Sequence, residues 1–291
     1  MPPVQFEDRA YLKLAACRDG VMLFNPLDSF VGRSLDLYGE FSRGEAAVFD
    51  QIVAPGDTVL DVGANIGAHT LWMARRVGPA GGVIAFEPQR AVFQTLCANM
   101  ALNGMTNVDA YWAAVGAQPG YVTVPRLDPT AAANFGATSL IWGHPGDKVR
   151  LMTIDELELS ACRMIKVDVE GMELDALRGG EATISRLRPI LYVENDGREA
   201  GLIEFILNLG YRAWWHLPAY FSPENARGSA DNVFEQGISV NMVCVHDSVP
   251  VTVSGAEPVA GPNDEWTRPA GAADRTGVPC WSRPAPIIAF S

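Results

Sequence analysis

One feature limits the fold more than any other. From about residue 57, short apolar, β-branched runs alternate with stretches of helical spacing. TVLDVGA (58–64) is the first run, and IGAHTLWMARRVG (66–78) follows it with Ile66, Thr70, Met73, Ala74 and Val77 on one helical face and a stop at Gly78-Pro79. GGVIAFEP (81–88) predicts a second strand and AVFQTLCANMALNG (91–104) a second helix; VDAYWAAVG (108–116) predicts a third strand. RMIKVDVEG (163–171) and PILYVEND (189–196) predict the fourth and fifth, with helical patterns around 172–187 and 199–209. Strands separated by helices pair in parallel through right-handed crossovers. YRAWWHL (211–217) and SVNMVCVH (239–246) close the series with no helical pattern between them, so they are expected to pair antiparallel.

Three segments fall outside this rhythm: an N-terminal cap over 1–56, an insertion at 117–150 within the 57–247 domain, and a Pro/Gly/Ala-rich tail over 248–291. The tail shows no periodicity and reads as extended or mobile surface chain without a catalytic role, so its deletion is expected to spare the chemistry. With 291 residues and 48% hydrophobic content, the chain can bury a full core. The net charge of −12 argues against a nucleic-acid or anionic-membrane partner, since both select Lys/Arg surfaces. Five widely spaced cysteines without a C-x-x-C pattern suggest reduced thiols, a cytoplasmic location and no zinc site. The N-terminus lacks the pattern of a signal peptide, and no run of 18 apolar residues suits a membrane span.

VLDVGANIGAHT joins the first strand to its helix, with Gly63 and Gly67 flanking Asn65. A dinucleotide site would place a glycine where Asn65 stands, so that the backbone could approach a pyrophosphate. Glu87 ends the second strand, where an acid can accept hydrogen bonds from ribose hydroxyls. A Gly-containing loop, no pyrophosphate signature and an acidic strand end suit a nucleoside without phosphates, such as S-adenosylmethionine. The competing readings are an NAD-dependent oxidoreductase or epimerase, and a non-catalytic nucleoside-binding protein.

VLDVGANIGAHT, IAFEPQ, NVDAYWAAVG, TIDEL (153–157) and MIKVDVEGMELDALRGG with PILYVEND resemble the FkbM family of S-adenosylmethionine-dependent methyltransferases over roughly residues 38–246. The resemblance implies an α/β, Rossmann-like class I methyltransferase sheet of seven strands, the last antiparallel, with helices on both faces. It also implies O-methylation of a small-molecule or carbohydrate hydroxyl, on a sugar, glycosylated metabolite or polyketide. Asp61 would orient the first loop or reach the methionine ammonium through water, Gly63, Asn65 and Gly67 would pass the methionine portion, and Glu87 would hold the ribose. The family places adenine near Ala113 and Ala114.

The fourth strand of this topology ends beside the methyl donor, where carboxylates meet a sulfonium. Asp168 and Glu170 are the candidate general bases, Glu194 faces the same cleft edge, and Lys166 is their expected ion-pair partner. Asp168 with Glu194-Asn195 also offers hard oxygen ligands for Mg²⁺, an alternative to a metal-free site. On the sixth strand one of Trp214 and Trp215 is expected in the core; the other, with His216, is expected at the acceptor mouth. An alternative acceptor wall is the insertion, through Asn134 and Ser139. His69 is assigned a solvated or helix-packing role.

Overall fold

The expected alternation is present in the computed structural model, which describes residues 11–136, 145–197, 199–266 and 285–290. A hairpin (Lys13–Cys17 with Gly20–Phe24) precedes helices α1 (Val31–Tyr38) and α2 (Arg43–Ile52). Then come β1 (Thr58–Val62), α3 (Ala68–Val77), β2 (Gly82–Phe86), α4 (Arg90–Leu102) and β3 (Val108–Tyr111). After a side sheet the chain re-enters as β4 (Met164–Val167), α5 (Glu173–Arg178), α6 (Glu181–Leu187) and β5 (Ile190–Glu194). It finishes the main sheet with α7 (Leu202–Asn208), β6 (Tyr211–His216) and β7 (Asn241–His246).

The main sheet runs β3-β2-β1-β4-β5-β7-β6, parallel from β3 through β5. The final strand, β7, is antiparallel to both neighbours. A two-residue strand, Glu257–Pro258, adds an eighth at the β6 edge. The order reverses between β1 and β4, and α/β sheets open a ligand crevice at such a point.

Alternation along the strands divides the core. Leu60, Val62, Ile165, Val167, Leu191 and Val193 pack on one face against α5, α6 and α7. Val59, Met164, Ile190 and Tyr192 point the other way, to α2 and α3. On that second face the register sets Asp61 opposite Lys166, and Lys166 opposite Tyr192.

Two elements depart from expectation. The strand expected over 108–116 breaks at Trp112, whose indole N–H donates to the Pro88 carbonyl at 2.9 Å. Beyond the break, Ala113–Val115 leaves the main sheet and pairs with Gly146–Met152, which itself pairs with Gly120–Pro125. The described strands of the insertion thus join Ala113–Val115 in a small three-stranded sheet of their own. The described parts of the tail are also ordered into pairs rather than loose chain: Val251–Ser254 pairs with Ile287–Phe290, and Val251 and Ile288 are buried against the α2 side of the core. Backbone pairing and two separated apolar contacts need no hydrophobic period, so composition could not show them. No helix among the described residues is long and apolar enough to cross a membrane. The four described cysteines are unpaired; Cys280 and Ser139 lie outside the described residues.

Candidate active site

The β1–α3 loop is fixed before any ligand arrives. The N–H groups of Gly63 and Ala64 donate to the Phe86 carbonyl at 3.0 and 2.9 Å, which ties the loop to the end of β2. Gly63 has φ +86°, and a Cβ there would lie 1.8 Å from the Asp168 carbonyl oxygen. Only glycine lets the ends of β1 and β4 approach this closely. Gly67, also at positive φ, answers a different need: its Cβ would come within 2.5 Å of Leu96 and 2.9 Å of Met100 on α4. It seats α3 on α4 and is not at the cleft wall.

Next to this loop Glu87 is buried at the end of β2. Its carboxylate accepts the Asn65 N–H at 3.0 Å and the Gln89 N–H at 2.7 Å. Burial pushes its carboxyl up to about 7, against the pull of those two hydrogen bonds. Each oxygen has a lone pair to spare for a ligand hydroxyl.

A cleft, open to solvent at its mouth, crosses the strand ends here. Gly63, Asn65, Glu87, Ala113 and Ala114 line it, and so do Lys166, Asp168, Glu170 and Glu194. Asp61 is expected close to a ligand but lies beneath the floor. It is fully buried, accepts the Thr70 hydroxyl at 2.6 Å, and stands 3.5 Å from the Lys166 ammonium. Lys166 also donates to Asp168 at 3.1 Å. Burial works against the Lys166 charge, but Asp168, Asp61 and Glu45 outweigh it and hold the ammonium above its ordinary range. The charges at alternate positions of β4 are thus partly an ion pair, as expected for Lys166, and partly a cleft edge.

One residue past the Val167–Val193 register pair, Asp168 and Glu194 meet side by side. Burial, then the charges of Asp168 and Glu170, raise the Glu194 carboxyl well above its usual range. Asp168, Glu170 and Glu194 each bring an oxygen within 4.8 Å of the others, close enough to hold a divalent cation. Glu170 sits at φ +56° and Gly171 at φ +91°. This left-handed turn is held by the Glu173 carboxylate, which accepts the N–H groups of Val169 at 3.0 Å and Gly171 at 3.1 Å.

His216 does not reach the cleft, a correction to its expected place at the mouth. It is buried, its Nδ1 is 2.8 Å from the Tyr192 hydroxyl, and burial lowers it to about 4. Because β7 separates β6 from β5, the sixth strand lies too far from the switch point. Trp215 takes the expected core position, with its indole N–H donating to Asp264 at 3.1 Å. Trp214 faces the opposite side of β6 and packs at the edge of the α2-side core, not at the cleft. Phe30, Phe41 and Glu45 of the N-terminal segment, with Tyr220 and Ser239, line the cleft where the sixth strand does not. Phe30 contacts Tyr220 edge-on at 5.2 Å between ring centroids. Asn134 of the insertion is at the cleft as well. Glu45 and Phe30 carried no motif; Glu45 sits in an amphipathic helix pattern, which gives no sign of what its polar side faces.

A family model described as the methyltransferase FkbM domain matches residues 61–213. "Methyltransferase 1" of Beauveria bassiana is 32% identical over 189 residues, 55% of this chain and 74% of that protein. The AMB antimetabolite synthetase AmbE of Pseudomonas aeruginosa is 28% identical over 222 residues, 60% of this chain but only 10% of that protein. The crystal structure of an FkbM methyltransferase from Methylobacillus flagellatus is 18% identical with a TM-score of 0.44; the match covers 68% of this chain and 50% of that one.

Proposed function

Since the chain belongs to the FkbM methyltransferase family, we propose that it methylates a hydroxyl group of a small molecule, on a sugar, a glycosylated metabolite or a polyketide. The methyl donor of the family is S-adenosylmethionine. The cleft fits that molecule. Gly63 leaves the backbone bare where a side chain would collide with the Asp168 carbonyl, and Glu87 keeps acceptor capacity at a buried strand end with only backbone partners. The cofactor supplies an electrophilic methyl group on a positively charged sulfur.

In this reading the chain contributes binding, orientation and a place for one proton. Glu87 takes the ribose hydroxyls, Ala113 and Ala114 border the adenine, and the Gly63–Asn65 backbone borders the methionine portion. The single observation that carries the reading is the meeting of Asp168, Glu170 and Glu194 at the β4 and β5 ends. Carboxylates stabilise adjacent positive charge. An alcohol must lose its proton as it attacks, and a carboxylate within hydrogen-bond reach receives it. Asp168, which accepts a hydrogen bond from the Lys166 ammonium at 3.1 Å, is the base in this scheme, and Glu194 with its raised affinity for a proton shares that proton afterwards.

The test is methyl transfer from methyl-labelled S-adenosylmethionine to a panel of hydroxyl-bearing sugars, glycosides and polyketides. A base-stable methyl ether and one equivalent of S-adenosylhomocysteine are expected. Label recovered on nitrogen or carbon of the acceptor would overturn the O-methylation reading. Binding of NAD in place of S-adenosylhomocysteine would overturn the cofactor.

A further inference from the structure

Glu45 is a buried carboxylate of the cleft that the scheme above leaves without work. It comes from the first turn of α2, is 4% exposed, and lines the cleft together with Lys166 and Asp168. No N–H or O–H among the described residues donates to its carboxylate. The His69 Nε2 stands 3.7 Å away, beyond hydrogen-bond length, and is itself without a hydrogen-bond partner among the described residues. A carboxylate on the cleft wall to which no described protein group donates is left to pair with what enters the cleft.

The surroundings say which partner. His69 stands in the first turn of α3, the helix that follows the Gly63–Asn65 loop, 3.7 Å from Glu45, and Glu45, His69, Ala64 and Ala68 all line the cleft. α3 begins without a side-chain cap, so the N–H groups of its first turn are open to an anion. A carboxylate that lacks a donor thus faces a helix start that lacks an acceptor. Their complement is a zwitterion with an ammonium and a carboxylate on one carbon. With Glu87 assigned to the ribose at the β2 end, the amino-acid end of the cofactor extends along the β1–α3 loop to this place.

We infer that Glu45 binds the α-ammonium of the cofactor's methionine end, while the start of α3 takes the carboxylate. The inference rests on the proposed seating of the cofactor and adds a residue to it.

Calorimetry with two probes tests this. S-adenosylhomocysteine carries the amino-acid end, and methylthioadenosine has the same nucleoside without it. A charge-assisted hydrogen bond lost from a buried site lowers affinity by roughly 10- to 100-fold. Glu45→Gln should lose that much affinity for S-adenosylhomocysteine and bind methylthioadenosine as the wild type does. The melting temperature of the ligand-free variant reports whether the fold is kept. A folded Glu45→Gln protein with wild-type affinity for S-adenosylhomocysteine would overturn the inference. Equal losses for the two probes would do the same, and would make Glu45 a support of the loop. If the wild type bound neither probe, the cofactor seating itself would fall, ahead of any role for Glu45.

Discussion

At the scale of single residues, Glu87 joins burial, hydrogen bonding and titration in one group. Removing its carboxylate by Glu87→Ala deletes a buried charged acceptor worth roughly 1.5–3 kcal/mol, so affinity for S-adenosylhomocysteine should fall by about 10- to 150-fold. Its carboxyl titrates at about 7, and ribose hydroxyls donate to the ionised form. Affinity should therefore rise with pH through 7 and level off above it, and Glu87→Gln should flatten that rise; calorimetry over a pH series reads both. Stability without ligand moves in the opposite sense. The folded state holds this proton more tightly than the unfolded chain, so the stability from Glu87 is full below about 4.5 and is lost as pH rises through about 7. Asp168 differs, because its partner is the Lys166 ammonium. Asp168→Asn should lower kcat by roughly 10²–10⁴ while S-adenosylhomocysteine affinity changes less, the split expected of a base that acts in the transition state. Full activity in that variant would remove Asp168 from the mechanism.

At the scale of elements, the site is made by β1 and β4 lying in register. Asp61 and Lys166 face each other across the two strands, and Asp168 follows Lys166 on the same face. Taking away the shared cation leaves a fully buried Asp61 uncompensated. Lys166→Met should thus destabilise the protein by about 3–5 kcal/mol in denaturant unfolding, far more than an exposed lysine would. These strands were legible because VLDV and MIKV are apolar and β-branched and each ends near a glycine. The charges at 166, 168 and 170 were legible as a set, since alternate residues share a face. Their division into floor and cleft was not, because it depends on which neighbour stands opposite each one. Trp112 is a good strand residue by type, and the break there comes from contacts with Pro88 and with the strand at 146–152. His216 was misplaced for a related reason: the pattern showed two adjacent antiparallel strands, but not that β7 inserts between β5 and β6.

At the scale of the whole molecule, the α2 face is where distant parts of the chain converge. The Gln51 side chain of α2 donates to the Pro286 carbonyl at 3.0 Å and accepts the Ile288 N–H at 2.9 Å. Val251 and Ile288 are buried beneath, and a buried aliphatic side chain contributes about 1.5–3 kcal/mol. Deleting residues 250–291 should lower stability by about 3–6 kcal/mol, seen as a fall in Tm. No described residue of the tail lines the cleft, so turnover measured well below that Tm should be kept. Loss of turnover in the folded truncation would show that the tail reaches the acceptor. The short strand that the tail lays on β6 has one more consequence. An exposed outer strand offers its free N–H and C=O groups to the strands of other molecules, which is how sheets grow into aggregates. Here the outermost position opposite Trp214 is Pro258, which has no N–H to offer. Among the described residues, the sheet thus ends on a position that has no N–H to offer an incoming strand, and this border is set by a segment that does not line the cleft.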